Sequence, residues 1–148
     1  FIDDYGHHPT AIKTTLEGFK NFYPDKYLIV DFMSHTYSRT ASLLEEFASS
    51  FESADQVILH KIYSSARENK KDFEGIVSGE ILFEKTKKYH NKVSYFEEIL
   101  EATDFVKSIF NSPLPEEKNG FVFVTMGAGD NWKLGTELIK EFRKEFIK

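Results

Sequence analysis

Residues 121–130, Phe-Val-Phe-Val-Thr-Met-Gly-Ala-Gly-Asp, contain the segment that decides the fold, because an uninterrupted apolar run ends there in a glycine-rich turn. A short apolar run rich in β-branched and aromatic residues is typical of a strand buried on both faces. Residues 27–32, Tyr-Leu-Ile-Val-Asp-Phe, repeat this pattern, and residues 57–59 and 93–96 predict two shorter strands. Strands buried on both faces need a covering layer on each side.

Helical patterns separate these strands and would supply the two layers. Pro9 fits the first turn of a helix, and the apolar spacing predicts helices at four further places: one marked by Leu43, Leu44, Phe47 and Phe51, one capped by Ser78 and running to Tyr89, one over residues 97–110, and one with Leu134, Leu138, Ile139, Phe142 and Phe146 on one side. The alternation predicts an α/β fold with three layers, a mainly parallel sheet with helices on both faces. We expect residues 1–148 to form a single domain.

Composition excludes several classes of function. The 148 residues are 41% hydrophobic and include 15 Phe, enough for a substantial core. The net charge of −5 argues against a general nucleic-acid binder, and no apolar run reaches the length of about 20 residues that spans a bilayer. The absence of Cys excludes disulfides and thiolate metal sites. We therefore expect a cytoplasmic protein with neither nucleic acid nor membrane as a partner.

Polar segments follow the predicted strands at Phe32, Ile62 and Met126. Parallel sheets of this kind bind ligands at the carboxyl ends of their strands, so we expect a ligand site among these segments. Polar residues also crowd the first ten positions of the chain. A functional site seldom lies at the very start of a protein. We therefore expect the chain to be one domain of a longer enzyme.

The first segment, residues 3–10, is Asp-Asp-Tyr-Gly-His-His-Pro-Thr at the entrance of the predicted first helix. A carboxylate accepts ribose hydroxyls, a phenol ring stacks on a base, and an imidazole donates to phosphate. Asp4, Tyr5 and His7 are thus candidates for a nucleotide site. The alternative is a frayed chain end with ordinary surface histidines.

Two arginines follow predicted strands. Arg39 lies in residues 34–40, where free backbone N–H groups and a guanidinium would hold a carboxylate, and His35 lies in the same segment. The alternative is an N-cap by Ser38 with Arg39 facing solvent. Arg67, in residues 64–69, would bind an anion, pair with its neighbour Glu68 or face solvent.

The glycines in residues 127–130 partly match the glycine-rich fingerprint of dinucleotide-binding folds. Trp132, however, lies at the position of the third glycine of that fingerprint. We interpret these residues as a strand-to-helix turn near a ligand, and Trp132 as a packing residue. The chain has no GxxxxGK[ST] phosphate loop. His60 and His90 have no companions at metal-ligand spacing, so we predict no metal site.

Together these segments resemble the C-terminal domain of Mur ligases. The match rests on residues 3–10, 35–40, 65–69 and 126–130, whose order and spacing span nearly the whole chain. The resemblance implies a Rossmann-like domain of a three-domain enzyme, whose N-terminal domain holds a UDP-sugar and whose central domain holds the phosphate loop and Mg²⁺. It implies ATP and Mg²⁺ as cofactors, with the metal ligands mainly outside this chain, and it assigns no catalytic residue and no metal-binding residue to this chain.

The resemblance also implies a reaction. It points to the member that uses ATP to join L-alanine to UDP-N-acetylmuramate in peptidoglycan synthesis. The muropeptide-recycling member and a non-catalytic α/β binding module remain alternatives. By motif position, Asp4 would meet the ribose, Tyr5 the adenine and His7 the phosphates. The chain alone would be inactive.

The same resemblance assigns the amino-acid site. His35 and Arg39 match positions that hold the incoming alanine, and Arg67 lies in a loop that reads it. Many members read Gln-Pro-His-Arg-Tyr where this chain has Met-Ser-His-Thr-Tyr at residues 33–37. Thr36 removes a second arginine from the carboxylate clamp, and Ser34 replaces a proline that would stiffen the loop.

Overall fold

The computed structural model describes residues 1–146 of the chain. Within that range the strands form one five-stranded sheet, in which every neighbouring pair is parallel. In chain order the strands are β1 (Ile2–Asp4), β2 (Tyr27–Met33), β3 (Gln56–His60), β4 (Val93–Phe96) and β5 (Phe121–Gly127). Their spatial order is β1-β5-β2-β3-β4, so the two longest strands, β2 and β5, lie side by side at the centre.

The helices connect these strands. They are α1 (Pro9–Phe22), α2 (Tyr37–Ser42), α3 (Leu44–Ala48), α4 (Gly79–Thr86), α5 (Thr103–Phe110) and α6 (Trp132–Phe146), with short 3₁₀ helices at Lys70–Phe73 and Ile99–Ala102. The predicted helix around residues 43–51 is shorter than expected: α3 begins after Leu43, whose φ of −122° is not helical, and ends at Ala48, before Phe51. The predicted helix over residues 97–110 is divided into a 3₁₀ turn and α5.

Alternate residues of each central strand feed two separate cores. In β2, Leu28, Val30 and Phe32 join the core that also holds Ile12 and Leu16 of α1. The opposite face of the sheet packs against α5 and α6 through a second buried cluster: Tyr27, Ile29, Ile58, Ala102, Val106, Phe123, Leu134 and Leu138. The predicted three-layer α/β fold is therefore confirmed.

The first strand was not predicted. Ile2–Asp4 adds a parallel edge strand to β5, where sequence reasoning expected only a loop. With three residues, two of them aspartates, β1 lacks the apolar run that marks the other strands. The Thr125 hydroxyl donates to Asp3 Oδ1 at 2.7 Å, which adds a side-chain contact between β5 and β1.

The helix α6 differs in part from the sequence predictions. Trp132, expected to pack, is 47% exposed at the start of the helix, so that prediction is wrong in large part. Leu134 and Leu138 are fully buried as expected, whereas the side chain of Phe146 lies outside the described residues. In the described part of the chain, no helix is both long and apolar enough to cross a membrane.

Candidate functional site

The carboxyl ends of four strands meet along one edge of the sheet, which we call the carboxyl edge (residues 4–8, 33–39, 61–69 and 127–131). The register pairs Asp4 with Met126 and Met33 with Gly127. Beyond β3, a parallel bridge pairs His35 with Tyr63. The segments that carry every predicted site residue therefore follow adjacent strands of one sheet.

The loop after β1 carries the three nucleotide candidates. Asp4 accepts a hydrogen bond from the Gly6 amide at 2.7 Å, which closes a tight turn. Tyr5 is 72% exposed, and its ring lies edge-on to that of His7, with centroids 5.1 Å apart. His8 caps α1 through Nδ1, which accepts from the Thr10 amide. The ordered turn and cap argue against a frayed chain end, and the exposed phenol ring is free to stack on a base.

The segment between β2 and α2 is held in a strained conformation. Thr36 has a φ of 68°, a region that β-branched residues seldom adopt and that is often found at functional sites. Its hydroxyl caps α2 by accepting from the Arg39 amide, so the alternative of a cap by Ser38 is wrong.

Ser34, at the position where the resemblance expected a proline, is also held firmly. Ser34 is buried, and its hydroxyl bonds to that of Thr40 at 2.5 Å. Thr40 in turn donates to the Thr36 carbonyl oxygen at 2.7 Å. Hydroxyl bonds thus supply some of the rigidity that a proline ring would give.

His35 is partly buried beside other polar groups. Burial, the Arg39 guanidinium and the His7 imidazole lower the pKa of His35, while Glu68 opposes them. The imidazole is consequently neutral at pH 7. A neutral imidazole next to a partly exposed guanidinium suits a carboxylate ligand, because the arginine supplies charge and the imidazole a hydrogen bond.

The segment after β3 is attached to α2 by Glu68. Its carboxylate accepts the amide of Tyr37 at 2.9 Å and that of Ser38 at 3.0 Å. Arg67 is exposed, and its amide donates to Ser65 Oγ at 3.1 Å. Among the three alternatives for Arg67, the pairing with Glu68 is not found in the described part of the chain, where Glu68 instead accepts the amides of α2. Glu68 was not singled out from the sequence.

Beneath the carboxyl edge lies a buried polar network that the sequence did not reveal. The Asn131 amide nitrogen donates to the Asp31 carbonyl at 2.8 Å, to Asp31 Oδ2 at 3.0 Å and to the Met126 carbonyl at 3.1 Å. It thereby joins the ends of β2 and β5 to the start of α6. Gly127, with a φ of 125°, starts this turn, and a Cβ there would lie 2.3 Å from the Met33 carbonyl oxygen.

His60 completes the network. Its Nδ1 donates to the Phe96 carbonyl at 2.9 Å, and its Nε2 lies 2.6 Å from Asp31 Oδ1, with both side chains fully buried. Burial disfavours the imidazolium, but Asp31 and the Phe96 carbonyl outweigh it, so the pKa of His60 is raised. The solitary Asp31 in an apolar strand was the one sequence signal for such a partner.

Within residues 1–146, no three His, Asp or Glu side chains are grouped so as to hold a metal ion. The candidate residues carry phenol, imidazole and guanidinium groups, which are able to stack on a base or to bind a carboxylate.

The chain is thus a parallel α/β domain, a class of fold that offers a ligand site at the carboxyl ends of its strands. The family model described as "Mur ligase, glutamate ligase domain" matches residues 1–129, and the chain belongs to this family.

Curated relatives share the family. The chain is 56% identical over 145 residues to a UDP-N-acetylmuramate–L-alanine ligase of Treponema pallidum, covering 98% of this chain and 28% of the relative. It is 42% identical over 134 residues to the ligase of the same name from Borreliella burgdorferi, covering 90% and 26%. The chain thus spans little more than a quarter of the length of these relatives.

A solved structure shares the fold. The chain superposes on the UDP-N-acetylmuramate-alanine ligase of Thermotoga maritima with a TM-score of 0.67 and 19% identity, covering 96% of this chain and 26% of that one. At this identity the likeness shows the fold, and it agrees with the family assignment.

Proposed function

We propose that the chain is the C-terminal domain of a UDP-N-acetylmuramate–L-alanine ligase, a three-domain enzyme that consumes ATP and forms ADP. The observation that carries the proposal is the 56% identity to the Treponema pallidum enzyme over 98% of this chain. The carboxyl edge supports it, because the nucleotide and carboxylate candidates follow adjacent strands of one sheet.

The proposed reaction has two steps. The γ-phosphate of ATP is transferred to the lactyl carboxylate of UDP-N-acetylmuramate, giving an acyl phosphate and ADP. The amine of L-alanine then attacks the acyl carbon, losing a proton and expelling phosphate, and an amide bond forms. Phosphorylation converts a poor leaving group into a good one, and closure of this domain would exclude the water that hydrolyses the acyl phosphate.

The nucleotide would lie against the loop after β1. The exposed ring of Tyr5 would stack on adenine, Asp4 would meet the ribose, and His7 would approach the phosphates. Mg²⁺, when bound, would neutralise charge on the phosphates of ATP. Its ligands would come mainly from the central domain, and residues of this chain would only position the nucleotide.

The amino acid would lie against the segments after β2 and β3. Arg39 would pair with the carboxylate of L-alanine, the neutral imidazole of His35 would add a hydrogen bond, and Arg67 would approach from the other segment. The partners would be UDP-N-acetylmuramate, L-alanine, ATP and the enzyme's own two other domains, in the cytoplasm.

Substitution of Arg39 tests this assignment. In the full-length enzyme, we expect Arg39→Ala to raise the KM for L-alanine by about ten- to a hundredfold, the cost of losing a charge-assisted hydrogen bond. The KM for ATP should change much less, because Arg39 follows β2, whereas the nucleotide candidates follow β1 and β5 lies between these two strands. Steady-state phosphate release with each substrate varied in turn measures both constants.

The matched control is Arg143→Ala, which removes an exposed arginine near the C-terminal end of α6. It should leave both constants at their wild-type values. An unchanged KM for L-alanine in Arg39→Ala would remove Arg39 from the amino-acid site.

A further inference from the structure

Glu68 makes an unusual set of contacts for an acidic residue in a loop. Its two carboxylate oxygens accept the backbone amides of Tyr37 and Ser38, and the Ser38 hydroxyl donates to it as well. These donors belong to the first turn of α2, the helix that carries Arg39. The hydrogen bonds outweigh the effect of burial and lower the pKa of Glu68, so the carboxylate is charged at neutral pH.

These contacts change which groups remain for a substrate carboxylate. The sequence predicted that free amides after β2, together with Arg39, would hold it. Two of those amides are already taken by Glu68. The amides of Thr36 and Arg39 are also engaged, by the Tyr63 carbonyl and the Thr36 hydroxyl. A carboxylate that binds at the segment after β2 would therefore be held mainly by side chains, foremost the guanidinium groups of Arg39 and Arg67.

The loop that carries Glu68 is also attached on both sides of it. On one side, the Thr36 amide donates to the Tyr63 carbonyl at 2.9 Å, and the Tyr63 amide to the Ser34 carbonyl at 2.8 Å. On the other side, the rings of Phe73 and Tyr37 stack with centroids 5.7 Å apart. Between these two attachments, the contacts of Glu68 with α2 are what fix the intervening segment.

We propose that Glu68 is a positioning residue of the amino-acid site, holding the segment of Arg67 against the first turn of α2 so that Arg67 and Arg39 face one carboxylate. This inference rests on the proposed function. Arg67 directly precedes Glu68, and Arg39 directly follows Ser38, so the Glu68–Ser38 contact brings the two arginine-bearing segments together.

The opposite role would be competition, in which Glu68 imitates the substrate carboxylate and must be displaced before L-alanine binds. The two roles predict opposite signs. Removal of a positioning residue weakens binding of L-alanine, whereas removal of an internal competitor strengthens it. The KM for L-alanine therefore distinguishes them.

The kinetic experiment uses Glu68→Ala and Glu68→Gln in the full-length enzyme. We expect Glu68→Ala to raise the KM for L-alanine about tenfold, the cost of one lost charge-assisted hydrogen bond between Arg67 and the substrate carboxylate. The KM for ATP should stay within about twofold of the wild-type value. Glu68→Gln keeps one oxygen acceptor and should have a smaller effect. Glu74→Gln, an exposed acid of the same loop, is the matched control and should match wild type. A lowered or unchanged KM for L-alanine in Glu68→Ala would overturn the proposal.

A second measurement does not depend on activity. In NMR titrations of the 148-residue chain, Glu68→Ala should lower the pKa of His35, because the Glu68 charge raises it in the wild type. It should also speed amide hydrogen exchange at Tyr37 and Ser38, whose acceptor is gone. Unchanged exchange and an unchanged His35 pKa would overturn the contact itself. If the wild-type enzyme failed to use L-alanine, the proposed function would be contradicted. The NMR result would still show whether Glu68 makes these contacts.

Discussion

At the scale of single residues, a buried ion pair ties together the strands that present the site. His60 and Asp31 come from neighbouring strands, and Asn131 extends their network to β5 and α6. A buried charge pair of this kind is costly to desolvate and costly to break, so each partner depends on the other. Its place just beneath the carboxyl edge gives the site a rigid floor.

Stability should depend on pH through His60. The pKa of His60 is raised in the folded chain, whereas the unfolded imidazole titrates near its usual value of about 6.5. The stabilisation is therefore complete below about pH 6.5 and is lost as the pH rises through the raised value. We expect the difference in unfolding free energy between wild type and His60→Gln to be larger at about pH 5.5 than at about pH 9.

Urea unfolding over this pH range measures that difference, in which groups common to both proteins cancel. Asp31→Asn should lose the same pH dependence, since it removes the carboxylate that favours the imidazolium. A difference that stays constant or grows with pH would contradict the assignment of a charged His60.

The residue scale also marks the limit of sequence reasoning. The nucleotide and amino-acid candidates were found because Tyr, His and Arg cluster after strands, and their roles stay predictions. Glu68 and Asn131 were missed, since a bond across more than thirty residues leaves no local pattern.

At the scale of elements, the sequence predicted the strands better than the helices. The long strands β2 and β5 are marked by apolar runs that no helix period explains. The helix pattern around residues 43–51 was wrong in extent, because the helix begins only after Leu43 and ends at Ala48, before Phe51. The edge strand β1 could not be predicted from its own residues, because its pairing with β5 is what makes it a strand.

The start of α4 offers a test at this scale. Ser78 was predicted to cap this helix, and its hydroxyl accepts the Ile81 amide at 3.2 Å, which confirms the cap. We expect Ser78→Ala to destabilise the chain by about 1 kcal/mol, the usual worth of a serine N-cap. Ser64→Ala, at an exposed loop position, is the matched control and should have little effect. Equal midpoints of urea unfolding for the two variants would contradict the capping role.

At the scale of the whole molecule, one edge of a parallel sheet gathers every candidate residue. The parallel order makes this unavoidable, because all carboxyl ends point the same way. The chain belongs to the Mur ligase family, yet it spans about a quarter of its curated relatives. Under the proposed function, its carboxyl edge would act only when two further domains bring a phosphate loop and a UDP-sugar to it.

The most direct test of the proposed function is ATP-dependent phosphate release by the full-length enzyme, with UDP-N-acetylmuramate and each amino acid supplied in turn. We predict release that strongly favours L-alanine, and none from the 148-residue chain alone. Release only with a preformed tripeptide would contradict the proposal and indicate a muropeptide-recycling ligase. No release with any acceptor would contradict it as well, and would leave a non-catalytic binding domain.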